Sequence, residues 1–256
     1  MNINEKRTVS DLAIEICAAP GVFEKLGIDY CCGGQKTLKE ACAGAGVTLE
    51  EVVSQLERAA PSSRETREAD DWQKRRLSDL ATYIVNKHHA FVRQELPRLE
   101  RLLYEVRSAH LARHPELRDF QALLRDLALE LTHHMRKEEE ILFPYIALLE
   151  SAADRTAVLP RPCFGTVRNP VQMMTQEHDN AGQALRRIRA TTGDYAVPAD
   201  GCATYRALLE SLRAFEQDLH THIHLENNIL FPRACQLEDS VLDARGEEKA
   251  PQTESD

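Results

Sequence analysis

Glycine and proline are scarce in this 256-residue chain, at 11 each, and aromatic residues make up only 5% with a single tryptophan. So few chain breakers, beside an abundance of Leu, Ala, Glu and Arg, predict a mostly helical protein. No run of 18 apolar residues occurs, so no membrane span is expected. A basic surplus is missing too. The 32 Lys and Arg face 41 Asp and Glu, a net charge of −9, which leaves no excess to neutralise nucleic-acid phosphates. The first residues, MNINEKRTVSDLAIEICAAP, lack the apolar core and cleavage site of a signal peptide. The seven Cys (17, 31, 32, 42, 163, 202 and 235) are odd in number and scattered, which argues against a disulfide framework. Reduced thiols and a cytoplasmic location are expected. With 43% apolar and 29% charged residues the chain is too apolar to be disordered.

What the chain has is organisation. Residues 1–60 hold short apolar-periodic segments (Val9 to Ala18, Phe23 to Leu26, Leu38 to Ala43, Leu49 to Leu56) separated by Ala-Pro-Gly and Gly-bearing turns. They predict a small helical domain. Thr37 with Glu40, and Thr48 with Glu51, read as capping boxes. The polar stretch 61–71 reads as a linker, and residues 239–256 as a disordered acidic tail. Between them, four long amphipathic patterns start near Trp72, Pro115, Val171 and Ala203. They predict an antiparallel up-down four-helix bundle over 72–238, with kinks or early ends at Pro97, Pro144 and Pro232.

The bundle contains an internal repeat. His134-Met-Arg-Lys-Glu138-Glu-Glu-Ile-Leu-Phe-Pro144 matches His222-Ile-His-Leu-Glu226-Asn-Asn-Ile-Leu-Phe-Pro232, 88 residues on. More weakly, His89 with Gln94 and Leu96 matches His178 with Gln183 and Leu185. Two copies of one hairpin therefore each supply a lone His and a His-x-x-x-Glu pair. His89, His134, His178 and His222 follow one another at 44 or 45 residues, with the midpoints in predicted turns. Residues equidistant from a turn share a level in an antiparallel bundle, so all four His lie at one height. Glu138 and Glu226 lie one turn further on the same faces.

One His on a helix is ordinarily a surface or capping group, and His-x-x-x-Glu arises by chance in helices rich in Glu. Four His and two Glu at matched heights are another matter, because they describe a dinuclear metal site inside a bundle. Two carboxylates could bridge while each metal takes two imidazoles; with a bridging oxo or hydroxo group each metal would hold about five ligands, which leaves one octahedral position open for a small molecule. This set without thiolate suits Fe or Mn better than structural Zn. The same geometry leaves out His110, ~30 Å along its helix from His89. It leaves out His220 and His224, which point away from His222 and are expected at the surface or behind the ligands. His88 and His133 lose to their neighbours in the repeat.

These residues resemble the haemerythrin-like domain. The segment Phe23-Glu-Lys-Leu-Gly-Ile-Asp-Tyr-Cys-Cys-Gly-Gly34 resembles the short domain preceding it in the iron–sulfur cluster repair di-iron proteins, the repair of iron centres family. The resemblance runs from about residue 8 to about residue 237. It implies a cytoplasmic stress protein with two non-haem Fe ions per chain, oxo or hydroxo and carboxylate bridged. His89, His134, His178 and His222 would be terminal ligands, and Glu138 and Glu226 the bridging carboxylates. Damaged iron–sulfur cluster proteins would be the partners, with NO or O2 as small molecules and no role for nucleic acid or membrane. A homodimer is only the default for soluble proteins.

Cys31 and Cys32 form a second candidate site. Adjacent thiols before Gly-Gly make an exposed, flexible nucleophile or soft-ligand pair; the plainer reading is that small side chains fill a tight turn. Cys17 and Cys42, in apolar runs, are expected in the core. Three functions are weighed. The first is an iron-handling repair protein, not an enzyme in the strict sense. The second is an NO- or nitrite-reducing enzyme fed electrons through Cys31 and Cys32. The third is an O2 or NO sensor, which four converging His fit less well than the five of O2 carriers.

Overall fold

The computed structural model describes residues 3–16, 18–59 and 72–248, all of them in helices and the connections between helices. Cys17, the expected linker 61–71 and residues 249–256 of the expected tail lie outside the described residues. Four short helices come first: α1 (Val9–Glu15), α2 (Ala19–Leu26), α3 (Leu38–Ala45) and α4 (Leu49–Ala59). Thr37 and Glu40 make both halves of the expected capping box at the start of α3. Thr48 accepts the N–H of Glu51 at 3.2 Å. Val9, Leu12, Ile16, Phe23, Leu38, Cys42, Val52 and Leu56 are buried together as a separate small core.

Four long helices follow. Helix α5 comprises Leu77–Ile84, one π-helical turn at Val85–His89 and Ala90–His110. Helix α6 comprises Leu117–Lys137, a π turn at Glu138–Leu142 and Phe143–Ala153. Helix α7 is Arg168–Thr191, and α8 comprises Ala203–Leu225, a π turn at Glu226–Leu230 and Phe231–Glu248. Helix α5 packs on α6 and α8, and α6 packs on α7. The expected all-α architecture, a bundle behind a helical N-terminal part, is what the structure shows.

Two details depart from the sequence reading. Pro97 sits inside α5 without ending it. Helix α8 continues to Glu248, ten residues past the point where the sequence suggests a tail. Its extension is anchored, because Glu238 and Val241 are buried. The Glu238 carboxylate accepts the Tyr145 hydroxyl at 2.8 Å and the N–H of Val167, just ahead of α7, at 3.0 Å. Glu150 does the same for α5, accepting the N–H groups of Leu77 and Ser78 at 2.7 and 3.0 Å. A carboxylate there satisfies orphan donors and meets the positive end of the helix dipole.

The bundle interior is two apolar cores with a polar layer between them. On α6, Leu131 and Met135 belong to one core, Leu142 and Phe143 to the other. His134 and Glu138 lie between, and the other repeat follows the same order.

Candidate metal centre

The two α6 and α8 π turns begin on Glu138 and Glu226, and the α5 π turn ends on His89. In both repeats the Phe of Leu-Phe-Pro donates its N–H five residues back, to the carbonyl of the Glu. The Pro that follows has no N–H for the usual bond to the fourth residue back and crowds that carbonyl. A wider turn just ahead of the Pro absorbs the conflict, and π turns concentrate at functional sites. The local sequence thus sets where each carboxylate points.

All six residues expected at the centre come together, and none is more than 2% exposed. They form two groups that share both carboxylates. His89 and His222 meet with Nε2 atoms 3.2 Å apart, His134 and His178 with Nε2 atoms 3.0 Å apart. Glu138 turns Oε2 to His89 and Oε1 to His134, each at 3.3 Å. Glu226 turns Oε1 to His222 and Oε2 to His178, each at 3.1 Å. Every carboxylate therefore offers one oxygen to each histidine pair. Ligands bonded at about 2.0–2.2 Å to adjacent positions of one ion lie roughly 3 Å apart, which is the spacing found in both groups.

The electrostatics also call for a cation. Glu138 and Glu226 are fully buried, and both Glu138 oxygens and Glu226 Oε2 lack a hydrogen-bond partner among the described residues. A buried carboxylate without compensating charge is costly. Burial is the largest single influence on His134 and works against its charge, yet the Glu138 and Glu226 charges and the hydrogen bonds to Glu138 and Glu177 together outweigh it and raise the imidazole to about 10. His222, where burial dominates, is lowered. Burial pushes both glutamates up, Glu226 adding to that for Glu138, but the imidazoles win and hold both down. The donor set fits a pair of divalent or trivalent transition ions, each with imidazole and carboxylate ligands.

Behind the donors stands an outer layer that sequence reasoning missed. His89 Nδ1–H donates to Glu139 at 2.6 Å, His134 Nδ1–H to Glu177 at 2.9 Å, and His178 Nδ1–H to Asn227 at 2.8 Å. Each bond fixes the tautomer that turns Nε2 to the centre. Glu139 and Asn227 directly follow the two matched glutamates, a signal the repeat carried. Phe143 stacks on His89 and Phe231 on His178, closing the centre on its apolar side. His222 Nδ1 has no partner among the described residues. In the place that Glu177 holds for His134, the other repeat has His88. That ring instead stacks on His222, with centroids 5.7 Å apart, and donates to Asp218 at 3.0 Å. His88 is thus a buried neighbour of the centre, whereas His133 is exposed.

Of the two places expected for His220 and His224, at the surface or behind the ligands, the surface is excluded for His224, which is buried, while His220 is half-buried. They form the seat of the N-terminal helices. His220 Nδ1 meets Glu24 at 2.6 Å, the Tyr30 ring packs on both imidazoles, and Asn228 donates to the Tyr30 carbonyl at 3.1 Å. Gly34 allows this close approach, since a Cβ there would meet the Tyr30 carbonyl at 2.8 Å and Asn228 at 3.2 Å.

This docking brings Cys31 and Cys32 to α7. Their sulfurs are 3.8 Å apart, and the Cys32 thiol lies 3.7 Å from the carbonyl of His178. The pair is less exposed than the sequence suggests, Cys31 being buried and Cys32 half-buried. Asp29 accepts the N–H groups of Cys31, Cys32 and Gly33 at 3.0–3.2 Å and pins the turn. The Cys32 sulfur and burial push the Cys31 thiol well up. His110 lies at the far end of α5, apart from the centre, as expected. Cys42 is in the small N-terminal core.

Fold and site together define a four-helix-bundle protein with a buried histidine–carboxylate cluster that could hold metal. Residues 80–234 match the Hemerythrin HHE cation binding domain, and residues 5–60 match ScdA_N, a domain of unknown function. The iron-sulfur cluster repair protein YtfE of Pectobacterium atrosepticum is 34% identical over 91% of this chain and 98% of its own length. Those of Musicola paradisiaca and Dickeya chrysanthemi are each 35% identical, over 93% and 91% of this chain and 100% and 98% of theirs. The chain belongs to the hemerythrin HHE cation-binding family and, within it, to the iron–sulfur cluster repair proteins.

Proposed function

We propose that this protein repairs damaged iron–sulfur clusters from a centre of two iron ions held by His89, His134, His178, His222, Glu138 and Glu226. The observation that carries the reading is the division of each carboxylate between two histidine pairs in a water-poor layer. The name of the relatives supports repair over reductase or sensor activity. Iron bound there supplies an exchangeable ion with affinity for NO and O2.

The chain's own residues do the rest. Glu139, Glu177 and Asn227 hold the imidazoles in the ligating tautomer, and Phe143 and Phe231 exclude water from one side. Glu138 and Glu226 each present one oxygen to either histidine pair, so they would hold both ions and would keep a grip on one if the other were given up. Cys31 and Cys32, beside the His178 backbone, are the soft-ligand relay between this centre and a client protein. The cytoplasm is the compartment of such clients, and no helix among the described residues is long and apolar enough to cross a membrane.

Metal analysis of the purified full chain tests the reading. About two irons per chain are expected, with a sharp fall in His134→Ala and His222→Ala. The loaded protein should also restore activity to an NO-damaged iron–sulfur enzyme, and the two variants should not. Little iron after anaerobic reconstitution would sink the proposal.

A further inference from the structure

The end of the bundle opposite the metal centre gathers a second set of donors. His110 closes α5, His114 sits in the turn to α6, and Asp200 lies in the loop before α8. His114 Nε2 is 2.9 Å from Asp200 Oδ1, and a ring nitrogen of His110 falls within 4.8 Å of both donor atoms. We propose that these three residues form a mononuclear site for a divalent transition cation. Two imidazoles and one carboxylate, with no thiolate, select the Zn(II), Co(II), Ni(II) or Fe(II) class over Ca(II) or Mg(II).

Five observations argue for a ligand rather than a simple ion pair. His110 is only 5% exposed and its Nδ1 has no partner among the described residues, an unsatisfied imidazole within a polar cluster. His114 Nδ1–H donates to Glu116 at 2.9 Å, the same outer carboxylate device that Glu139 and Glu177 provide at the main centre. The Nε2–H that donates to Asp200 is then the proton a bound cation would displace, leaving Nε2 to ligate. The Tyr205 ring packs edge-on against both imidazoles, with centroids 5.4 and 5.7 Å away, and fixes their planes. The C-terminal end of α5, at His110, carries the negative end of its helix dipole, which favours a cation. Arg113 takes the other Asp200 oxygen, Oδ2, at 3.1 Å and leaves Oδ1 to the site.

The position defines the role. His110 is 21 residues from His89 along α5, about 30 Å at about 1.5 Å per residue, too far for an ion to pass directly between the sites. A cation here fastens the α5–α6 turn to the α7–α8 connection. Asp200 is exposed and His114 only partly covered, so the remaining coordination positions go to water and the ion exchanges readily.

Co(II) is the probe, titrated into the iron-loaded full chain while cobalt and iron are both counted against protein. Wild type should take up one Co(II) more per chain than His110→Phe or Asp200→Asn, with new visible absorption and a rise in thermal midpoint that both variants lack. His110→Phe keeps a ring against Tyr205, and Asp200→Asn changes an exposed side chain without altering its shape, so folding is preserved. Equal cobalt uptake by wild type and both variants overturns the proposal. Failure of all three to load iron would count against the di-iron centre alone, because the second site is read from the cobalt difference.

Discussion

At the scale of single residues, the outer hydrogen bonds decide how firmly the centre holds metal. Glu177 bonds His134 and is paired with Lys137, and the His134 contact holds its carboxyl at about 2. Glu177→Gln replaces a charge-assisted acceptor with a neutral amide, so metal affinity should fall roughly 10–100-fold, as outer-layer changes do. Competition with a coloured chelator measures this, and an unchanged affinity would deny Glu177 its role. The two neighbouring thiols should also differ. Cys31 is buried with its thiol pushed up, whereas Cys32 is half-buried. Because the thiolate is the nucleophile, Cys32 should be alkylated well before Cys31 in the native protein. Mass mapping after a timed iodoacetamide pulse reads the order.

Helices in this molecule are secured by partners far away in sequence. Glu238 reaches 71 residues back to the start of α7 and also accepts the Tyr145 hydroxyl. Glu238→Ala leaves those buried donors without an acceptor, at a cost of about 2–3 kcal/mol in unfolding free energy. Denaturant titration checks this, and iron content should not change. The α3 capping box is a local device with a pH signature. Hydrogen bonds from Thr37 hold the Glu40 carboxyl below its usual value. A depressed carboxyl stabilises the fold above its unfolded pKa, and that contribution is lost as pH falls through the lower folded value. Stability should therefore decline more steeply between about pH 5 and pH 3 in wild type than in Glu40→Gln, where no carboxylate is left to protonate. Urea midpoints across that range test it. Identical slopes would show that the box adds nothing.

For the whole molecule, the centre and the fold are linked. Two buried carboxylates meet across the bundle, a pairing that is costly unless positive charge lies between them. A ligand bound at about a thousandfold its dissociation constant adds about 4 kcal/mol to stability. At about 2–4 °C per kcal/mol for a chain of this size, stripping the metal should lower the thermal midpoint by roughly 10 °C. Calorimetry of the loaded and chelated protein decides it. Docking of the N-terminal helices hangs on fewer groups. Tyr30→Ala removes the ring that packs on His220 and His224. Amide exchange in α1–α4 should then quicken while α5–α8 keep their protection.

Sequence by itself determined the helical class, the two-hairpin repeat and which six His and Glu residues converge in the buried cluster, because helix periodicity and turn positions convert chain spacing directly into height and face. His134 and Glu138 share a face through local geometry alone, and so do His222 and Glu226. Spacing also separated His110 from the centre. What it left out depends on contacts between segments far apart in the chain. The seat that His220 and His224 form for Tyr30, the burial of Cys31, and the long-range caps from Glu150 and Glu238 all join elements whose meeting no local pattern encodes. The convergence of His110, His114 and Asp200 is of the same kind. The π turns stand between the two cases. Each Phe-Pro sequence strains the ordinary helix locally, but the packed bundle keeps the helix running through that strain and so aims the carboxylate at the centre.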